Sequence, residues 1–291
     1  MGNELGSEAR PLRVAIVGSG PSGFYAADAL LKADPCVQVE LFERLPSPFG
    51  LVRLGVAPDH AKIKNVIKVY ERIAAKEGFR YFGNVEIGRD ITVDELKQFY
   101  DTIIFANGAQ SDRNLNIPGE DLLGSWPATE FVAWYNGHPD YRDWGFDFSC
   151  ETAVVIGQGN VAADVCRILS KTVDELKHTD IAAHALEQLA QSRIKTVYMV
   201  GRRGPVQAKF TQQEIKELGE MDDCVAHIDE AVFNFDPASQ AEFDDPKSKT
   251  AIKNIPFMQA IAQAEREGCS RELRIEFCKS PKEIKGNRRV E

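Results

Sequence analysis

Two glycine-rich turns, each between an apolar run and a helical stretch, are the features of this sequence whose spacing could support chemistry. In the first, Gly18, Gly20 and Gly23 form the pattern G-x-G-x-x-G directly after the apolar residues 14–17. Such glycines allow a tight turn from strand to helix, the approach of a pyrophosphate to the backbone, and close packing of helix on strand. The helix N-terminus then offers free N–H groups and a partial positive charge to phosphates. The pattern predicts a dinucleotide site, and residues 157–162 repeat it as G-x-G-x-x-A.

The strands that follow the two turns end in side chains of opposite charge. Glu43 lies twenty residues after Gly23, where a carboxylate accepts hydrogen bonds from an adenosine ribose. Arg202 and Arg203 end the corresponding strand of the second unit and suit a 2′-phosphate, which guanidiniums grip bidentately. The first site is therefore predicted to take FAD or NAD and the second NADP(H). The alternatives are that Glu43 is a surface glutamate placed by chance and that Arg202 and Arg203 belong to a solvated basic loop. The 45 residues from Gly157 to Arg202 are also more than a minimal dinucleotide-binding unit needs.

A chain with these two sites usually transfers hydride from NADPH to a flavin, and the cysteines restrict where the electrons can go next. The six cysteines are scattered and form no C-x-x-C pair, so a flavin-linked disulfide reductase is excluded. A flavin monooxygenase shares the two-site plan and remains an alternative, although no linker signature for it is found. No metal site is predicted.

The elements that must position these turns indicate an α/β protein with two Rossmann-like dinucleotide-binding domains and mostly parallel sheets. We expect an FAD-binding domain over residues 1–107, which would be incomplete, and an NADP-binding domain over residues 108–291. A helix over residues 60–76 is predicted with Asp59 as its N-cap. The spacing of Thr211 and Glu214 predicts a capping box at the start of another helix. We expect residues 233–250 to form a mobile loop.

Bulk properties restrict the partners and the compartment. The 291 residues carry a formal net charge of −9, which argues against general nucleic-acid binding. No run of eighteen apolar residues exists, so no membrane span is expected. The first ten residues resemble neither a secretory signal nor an Arg-rich transit peptide, and the thiols suit a reducing compartment. We expect a bacterial cytoplasm, or alternatively a mitochondrial matrix after removal of a transit peptide.

Several long stretches resemble one family of flavoenzymes. They are PFGLVRLGVAPDHAKIKNV, LNIPGEDLLGS, FVAWYNGHPD, VVIGQGNVAADVCRIL and VGRRGPVQAKFT. They resemble the adrenodoxin reductase family, including its bacterial ferredoxin–NADP reductases, over residues 13–291. The resemblance implies an FAD enzyme that passes electrons singly from NADPH to a ferredoxin- or adrenodoxin-like iron–sulfur protein.

The resemblance also implies roles for particular residues. Positions that contact FAD in the family match Ser22, Glu43, Leu51 and Ile87. Positions that contact NADP match Gln158, Gly159, Asn160, Val161, Arg202, Arg203 and Glu214. Candidates near the flavin–nicotinamide contact are His60 and Glu217. His60 could equally just occupy the first turn of its helix, and Glu214 could serve the capping box. Lys209 replaces an apolar residue usual in the family, which adds positive charge near NADP or an acidic partner.

The resemblance leads to one further expectation, about the end of the flavin domain. In the family the chain returns from the NADP domain with a G-W-x-K-R-G-P-T-G-like run that surrounds the flavin ring. No such run occurs in these residues. We therefore expect this chain alone to bind FAD weakly and turn over poorly. A nucleotide-binding fragment without turnover is accordingly kept as an alternative function.

Overall fold

The computed structural model describes residues 4–33, 36–109, 111–264 and 266–291. The chain divides into two compact units. The first unit comprises Met1–Val56 and His60–Ser111, and the second comprises Ala57–Asp59 and Asp112–Glu291. Within the described residues, each unit holds one four-stranded sheet in which all paired strands are parallel. The predicted α/β class with parallel sheets is confirmed.

The sheet of the first unit has the strand order β3-β2-β1-β4. Its strands are β1 (Leu12–Val17), β2 (Val37–Glu43), β3 (Phe79–Gly83) and β4 (Thr102–Phe105). Its helices are α1 (Pro21–Leu31), α2 (Gly50–Leu54), α3 (Ala61–Lys64), α4 (Ile67–Ala74) and α5 (Val93–Phe99). Val14 and Ile16 pack in one core with Phe24 of α1, while Ala15 belongs to a second core with Leu96 of α5. Both sheet faces are thus covered, as parallel sheets require.

The sheet of the second unit has the order β5-β6-β8-β7. Its strands are β5 (Thr152–Ile156), β6 (Thr196–Val200), β7 (Cys224–His227) and β8 (Arg271–Glu276). Its helices are α6 (Ala128–Tyr135), α7 (Asn160–Ser170), α8 (Val173–Leu176), α9 (Ala183–Leu189), α10 (Gln212–Gly219), α11 (Pro237–Asp244) and α12 (Lys249–Ala262). Helices α7, α8 and α9 connect β5 to β6, and α7 packs in the core with Val197 and Met199 of β6.

The prediction of a mobile loop over residues 233–250 is wrong. The stretch contains α11 and the start of α12. Asp236 caps α11 by accepting hydrogen bonds from the backbone N–H groups of Ala238 and Ser239, and Pro237 occupies the first helical position. Asp236 and Pro237 therefore act together as a helix start signal. Among the described residues, no helix is long and apolar enough to span a membrane.

The prediction that Asp59 caps one helix over residues 60–76 is also wrong. This stretch forms two helices, α3 and α4, and His60 is the N-cap of α3. The Asp59 carboxylate instead receives a bidentate contact from Arg167, with Nε–Oδ2 2.6 Å and Nη2–Oδ1 2.9 Å. Lys171 Nζ donates to Oδ2 at 2.8 Å. The carboxylate therefore does not cap a local helix but pairs with charged side chains in and directly after α7.

Arg167 is the centre of a buried ion network in the second unit. Its side chain is fully buried, and Nη2 also donates to Asp164 at 2.8 Å. Its Nη1 lies 3.4 Å from Oε2 of Glu217. Burial raises the pKa of Asp59, but Arg167 and Lys171 outweigh this effect and hold that pKa well below its usual range. Such a pair is costly to break because one charge is left buried without its partner.

Asp59→Asn should lower the free energy of unfolding by about 3 kcal/mol near neutral pH, because Arg167 loses its bidentate partner. Since folding depresses the Asp59 pKa, this stabilisation is present above about pH 4 and is lost as pH falls toward the folded-state value. The difference in free energy of unfolding between wild type and Asp59→Asn, measured by urea unfolding, should therefore be smaller at pH 3 than at pH 7. The exposed Asp174, paired with Lys177, supplies the control Asp174→Asn. Equal losses for the two variants would contradict the assignment.

Candidate functional site

The three glycines of the first turn have different physical roles. Gly18 has φ +108°, and a Cβ on it would lie 2.5 Å from the carbonyl oxygen of Ala106. A Cβ on Gly23 would lie 2.1 Å from the carbonyl oxygen of Gly18. By contrast, a Cβ on Gly20 would meet no atom within 4 Å. Gly18 and Gly23 are thus required by packing, while Gly20 leaves open space beside the backbone, as the predicted pyrophosphate site needs.

Helices α1 and α7 both begin without a side-chain cap. Their N-cap residues are Gly20 and Gly159, and neither first turn contains an acidic residue. A Cβ on Gly159 would also meet nothing within 4 Å. The first N–H groups of each helix, which in α1 begin at Ser22 because Pro21 has none, are therefore not bonded by a cap side chain and carry the positive end of the helix dipole. Both helix starts can accept a phosphate group.

Glu43 braces the first turn and keeps part of its hydrogen-bonding capacity. Its Oε2 accepts from the backbone N–H of Ser19 at 3.0 Å and from the Ser19 hydroxyl at 2.6 Å. Its Oε1 accepts from the N–H of Leu45 at 3.1 Å. A carboxylate offers about four lone-pair positions, so one position remains for a ribose hydroxyl. Ribose binding by Glu43 stays a prediction with which this geometry agrees.

The apolar stretch after β2 lies against the same turn. Phe49 donates its backbone N–H to the Ser19 carbonyl at 3.0 Å, and a Cβ on Gly50 would lie 2.8 Å from the Cα of Gly20. Leu51, which follows directly, is 63% exposed, so a large apolar side chain is open to solvent beside the turn. Ser22 is exposed in the first turn of α1. The turn, Ser22 and Leu51 are therefore grouped at one end of α1.

Ile87 lies four residues after the end of β3 and is half-buried against the core formed by Ala15, Phe42 and Leu96. The chain between β3 and Ile87 is held beside the end of β2, because Val85 donates its N–H to the Glu43 carbonyl at 2.9 Å. Ile87 thus lies two residues after Val85, which is hydrogen-bonded to the residue whose carboxylate is predicted to bind ribose. In an open α/β sheet, ligands bind outside the carboxyl ends of the strands, where these residues lie.

The second turn opens on a cavity of about 390 Å³. Predicted nucleotide residues from two separate segments line it, namely Gly157, Gln158, Gly159, Arg202 and Arg203. Other lining residues are Leu115, Ile117, Ile156, Lys209 and Lys279. The described lining therefore combines four cationic side chains with an apolar wall and includes no carboxylate. An anionic ligand with a flat apolar part suits this lining.

Lys279 was missed by the sequence analysis. It follows β8, whose parallel partner β6 ends directly before the loop with Arg202 and Arg203. Because parallel strands end at the same sheet edge, the two loops meet there, and Lys279 donates its N–H to the Gly201 carbonyl at 3.0 Å. The sequence does not show that β8 pairs with β6, and this pairing is what places Lys279 at the cavity.

Gln158 and Asn160, which are predicted to contact the nucleotide, form side-chain hydrogen bonds within the protein. The Gln158 side chain donates to the Glu276 carbonyl at 3.0 Å, and a Cβ on Gly201 would lie 2.0 Å from Gln158 Cδ. Asn160 Oδ1 accepts from the backbone N–H of Thr211 at 2.9 Å. These side chains fix the neighbouring loops around the turn. Val161, in the first turn of α7, is 52% exposed and open to a ligand.

The predicted capping box of α10 does not form. Thr211 is the N-cap residue, but its backbone N–H is already bonded to Asn160, so the Glu214 side chain cannot take it. Glu214 is buried and accepts from the Thr211 hydroxyl instead. Neither Glu214 nor Glu217, which pairs with Arg167, is among the described residues that line the cavity. The nucleotide role of Glu214 stays a prediction.

The two predicted catalytic residues lie on different helices. His60 is 7% exposed at the start of α3, and Glu217 is on α10 beside the guanidinium of Arg167. Their catalytic roles stay predictions. In the described part of the chain, no three His, Cys, Asp or Glu side chains are grouped so as to hold a metal ion.

Comparison with known proteins identifies the family. The model of the pyridine nucleotide-disulphide oxidoreductase family matches residues 12–218, and the chain belongs to this family. NADPH-ferredoxin reductase FprA of Mycobacterium tuberculosis is 48% identical over 97% of the chain, which covers 62% of that relative. The mitochondrial NADPH:adrenodoxin oxidoreductase of Arabidopsis thaliana is 44% identical over 94% of the chain, which covers 58% of it. The resemblance found in the sequence motifs is confirmed.

A solved structure agrees with this result. Mycobacterium tuberculosis FprA in complex with NADPH matches with a TM-score of 0.90 and 49% identity. The match covers 97% of the chain and 62% of that structure. The chain therefore spans about three fifths of the length of the relatives it matches.

The glycine geometry of the first turn is directly testable. Gly23→Ala should lower the free energy of unfolding by about 1–3 kcal/mol, because its Cβ would overlap the Gly18 carbonyl oxygen. Gly20→Ala should cost less than about 1 kcal/mol, since its φ of −76° suits alanine and no atom lies within 4 Å. Chemical denaturation of both variants checks this order. A larger loss for Gly20→Ala would show that the turn is packed differently.

Proposed function

We propose that this chain is the nucleotide-binding part of an FAD-dependent oxidoreductase that passes electrons from NADPH through flavin to a ferredoxin- or adrenodoxin-type iron–sulfur protein. The activity is that of a ferredoxin(adrenodoxin)–NADP⁺ reductase. The observation that carries the proposal has two parts. Both glycine turns lead into helices without a side-chain cap, and the side chains predicted to meet the two riboses have opposite charges. Glu43 follows the first turn, and Arg202 and Arg203 line the cavity of the second.

The charges assign the two cofactors. The carboxylate of Glu43 suits a free ribose 2′-OH, so residues 1–107 are proposed to bind FAD. Arg202 and Arg203 suit a 2′-phosphate, so residues 108–291 are proposed to bind NADP(H). The relatives support this assignment, because one is named an NADPH-ferredoxin reductase and its structure is a complex with NADPH.

The residues of the chain would have separate roles in binding and chemistry. The N–H groups that follow Gly20 and Gly159 bind the two pyrophosphates, and the exposed Leu51 offers an apolar surface beside the first of them. Bound FAD would supply the conversion of a two-electron donor into single electrons, while the protein orients it. His60 and Glu217 remain the candidates for a catalytic role, because they match the family positions near the reacting rings.

The cellular location is proposed from the same relatives. We favour the bacterial cytoplasm, because the relatives named above include a bacterial ferredoxin reductase. The alternative is the mitochondrial matrix, since the plant relative is named a mitochondrial protein. The scattered cysteines, which are free thiols in the described residues, suit either reducing compartment.

Cytochrome c reduction tests the activity. With FAD and NADPH present, the chain alone should turn over slowly, but its rate should depend on an added [2Fe–2S] ferredoxin and should fall strongly when NADH replaces NADPH. Oxygen uptake coupled to formation of a hydroxylated product would support the flavin monooxygenase alternative instead. Nucleotide binding without any electron transfer would support the alternative of a fragment without turnover. Either result would contradict the proposed reductase activity of this chain.

Arg202→Ala should weaken NADP⁺ binding by about one to two orders of magnitude, because a charge-assisted hydrogen bond contributes roughly 1.5–3 kcal/mol. NAD⁺ lacks the 2′-phosphate, so its affinity should hardly change. Titration calorimetry of both nucleotides measures this difference. The control is Arg142→Ala, an exposed arginine outside the cavity lining. Equal losses for NADP⁺ and NAD⁺ would refute the role of Arg202 at the 2′-phosphate.

A further inference from the structure

We propose that Lys209 binds the pyrophosphate of the nucleotide in the second unit, while Arg202 and Arg203 bind its 2′-phosphate. This inference rests on the proposed function, because it assumes that the cavity holds a phosphorylated dinucleotide. It adds a binding residue that the glycine pattern does not contain. Lys209 is expected to set total affinity for nucleotides with a 5′-diphosphate, whether or not they carry a 2′-phosphate.

The first argument is position. Lys209 lines the cavity together with Gly157, Gln158 and Gly159 of the turn. Its backbone N–H donates to the carbonyl of Gln158 at 2.8 Å, between the two glycines. The backbone of Lys209 is therefore hydrogen-bonded directly to the turn that precedes α7. In a dinucleotide site this helix start is where the pyrophosphate lies.

The second argument is the rigidity of the backbone that carries the lysine. Ala208 and Phe210 on either side are 4% and 0% exposed. The Phe210 carbonyl accepts from the Asn254 side chain at 2.8 Å, and Thr211 N–H donates to Asn160 at 2.9 Å. Lys209 is thus an exposed side chain on an anchored segment. The flexible four-carbon stem lets its ammonium act as a point charge on a phosphate.

The third argument is charge. A pyrophosphate diester carries two negative charges, whereas a helix N-terminus supplies only about half an elementary charge. Among the other cations of the lining, Lys279 is engaged by the Glu276 carboxylate at 2.5 Å. Arg202 and Arg203 follow the end of β6 and are assigned to the 2′-phosphate. Lys209 supplies the additional positive charge next to the turn.

Three ligands separate the two phosphate positions in titration calorimetry of the whole chain. ADP has the 5′-diphosphate alone, 2′-AMP has the 2′-phosphate alone, and NADP⁺ has both. Lys209→Met should weaken ADP and NADP⁺ by about 10-fold and leave 2′-AMP unchanged. Arg202→Ala should weaken 2′-AMP and NADP⁺ and leave ADP unchanged. Lys209→Arg should retain most of the ADP affinity, because it keeps the charge.

Lys253→Met, which removes an exposed lysine of α12 outside the cavity lining, is the matched control and should leave all three affinities unchanged. Unchanged ADP and NADP⁺ affinities in Lys209→Met would overturn the inference and leave docking of an acidic protein as the role of this lysine. Equal weakening of all three ligands would also overturn it, since that result indicates a general loss of the cavity. If instead wild type binds NADP⁺ and NAD⁺ equally and Arg202→Ala changes nothing, the proposed function fails.

Discussion

The backbone N–H groups at the starts of α1 and α7 are the feature on which the rest of this structure depends. Both helices begin at a glycine with no side-chain cap, and two residues separate that glycine from the end of a parallel strand. Groups of this kind need a partner, and a phosphate is a suitable one. The glycines leave room for it, because a Cβ on Gly20 or Gly159 would meet no atom within 4 Å. The neighbouring residues then hold this geometry in place.

The side chains around each turn hold its backbone in place, and one of them keeps a position that a ligand could use. Glu43 braces Ser19 while keeping an acceptor position for a ribose hydroxyl. Gln158 and Asn160 tie the second turn to β8 and to the N-terminus of α10. Because hydrogen bonds within the protein hold these loops, few further residues would need to be ordered on binding, which favours affinity.

The sequence was most informative where local patterns alone decide the structure. Apolar runs followed by glycine patterns located the two strand–turn–helix units, and their alternation predicted the parallel sheets. The Thr92–Glu95 capping box forms, since it needs only residues of its own helix. In contrast, the Thr211–Glu214 box failed because Asn160, 51 residues away, bonds the N–H that the box requires.

Contacts between distant segments explain the other failures. Asp59 looked like a helix cap, yet its partner Arg167 lies 108 residues further along the chain. Lys279 joins the cavity because β8 lies beside β6, an order that the sequence does not display. Residues 233–250 are polar and interrupted by proline, a pattern that favours a loop, yet Asp236 and Pro237 begin a helix there.

If the chain holds two dinucleotide sites of different kind, a competition experiment shows it without any need for turnover. The purified chain is titrated with FAD by fluorescence quenching, first alone and then with saturating NADP⁺. We expect one FAD site and one NADP⁺ site per chain, with an FAD affinity that NADP⁺ does not reduce by competition. Displacement of FAD by NADP⁺ at a single shared site would refute the assignment of two distinct sites.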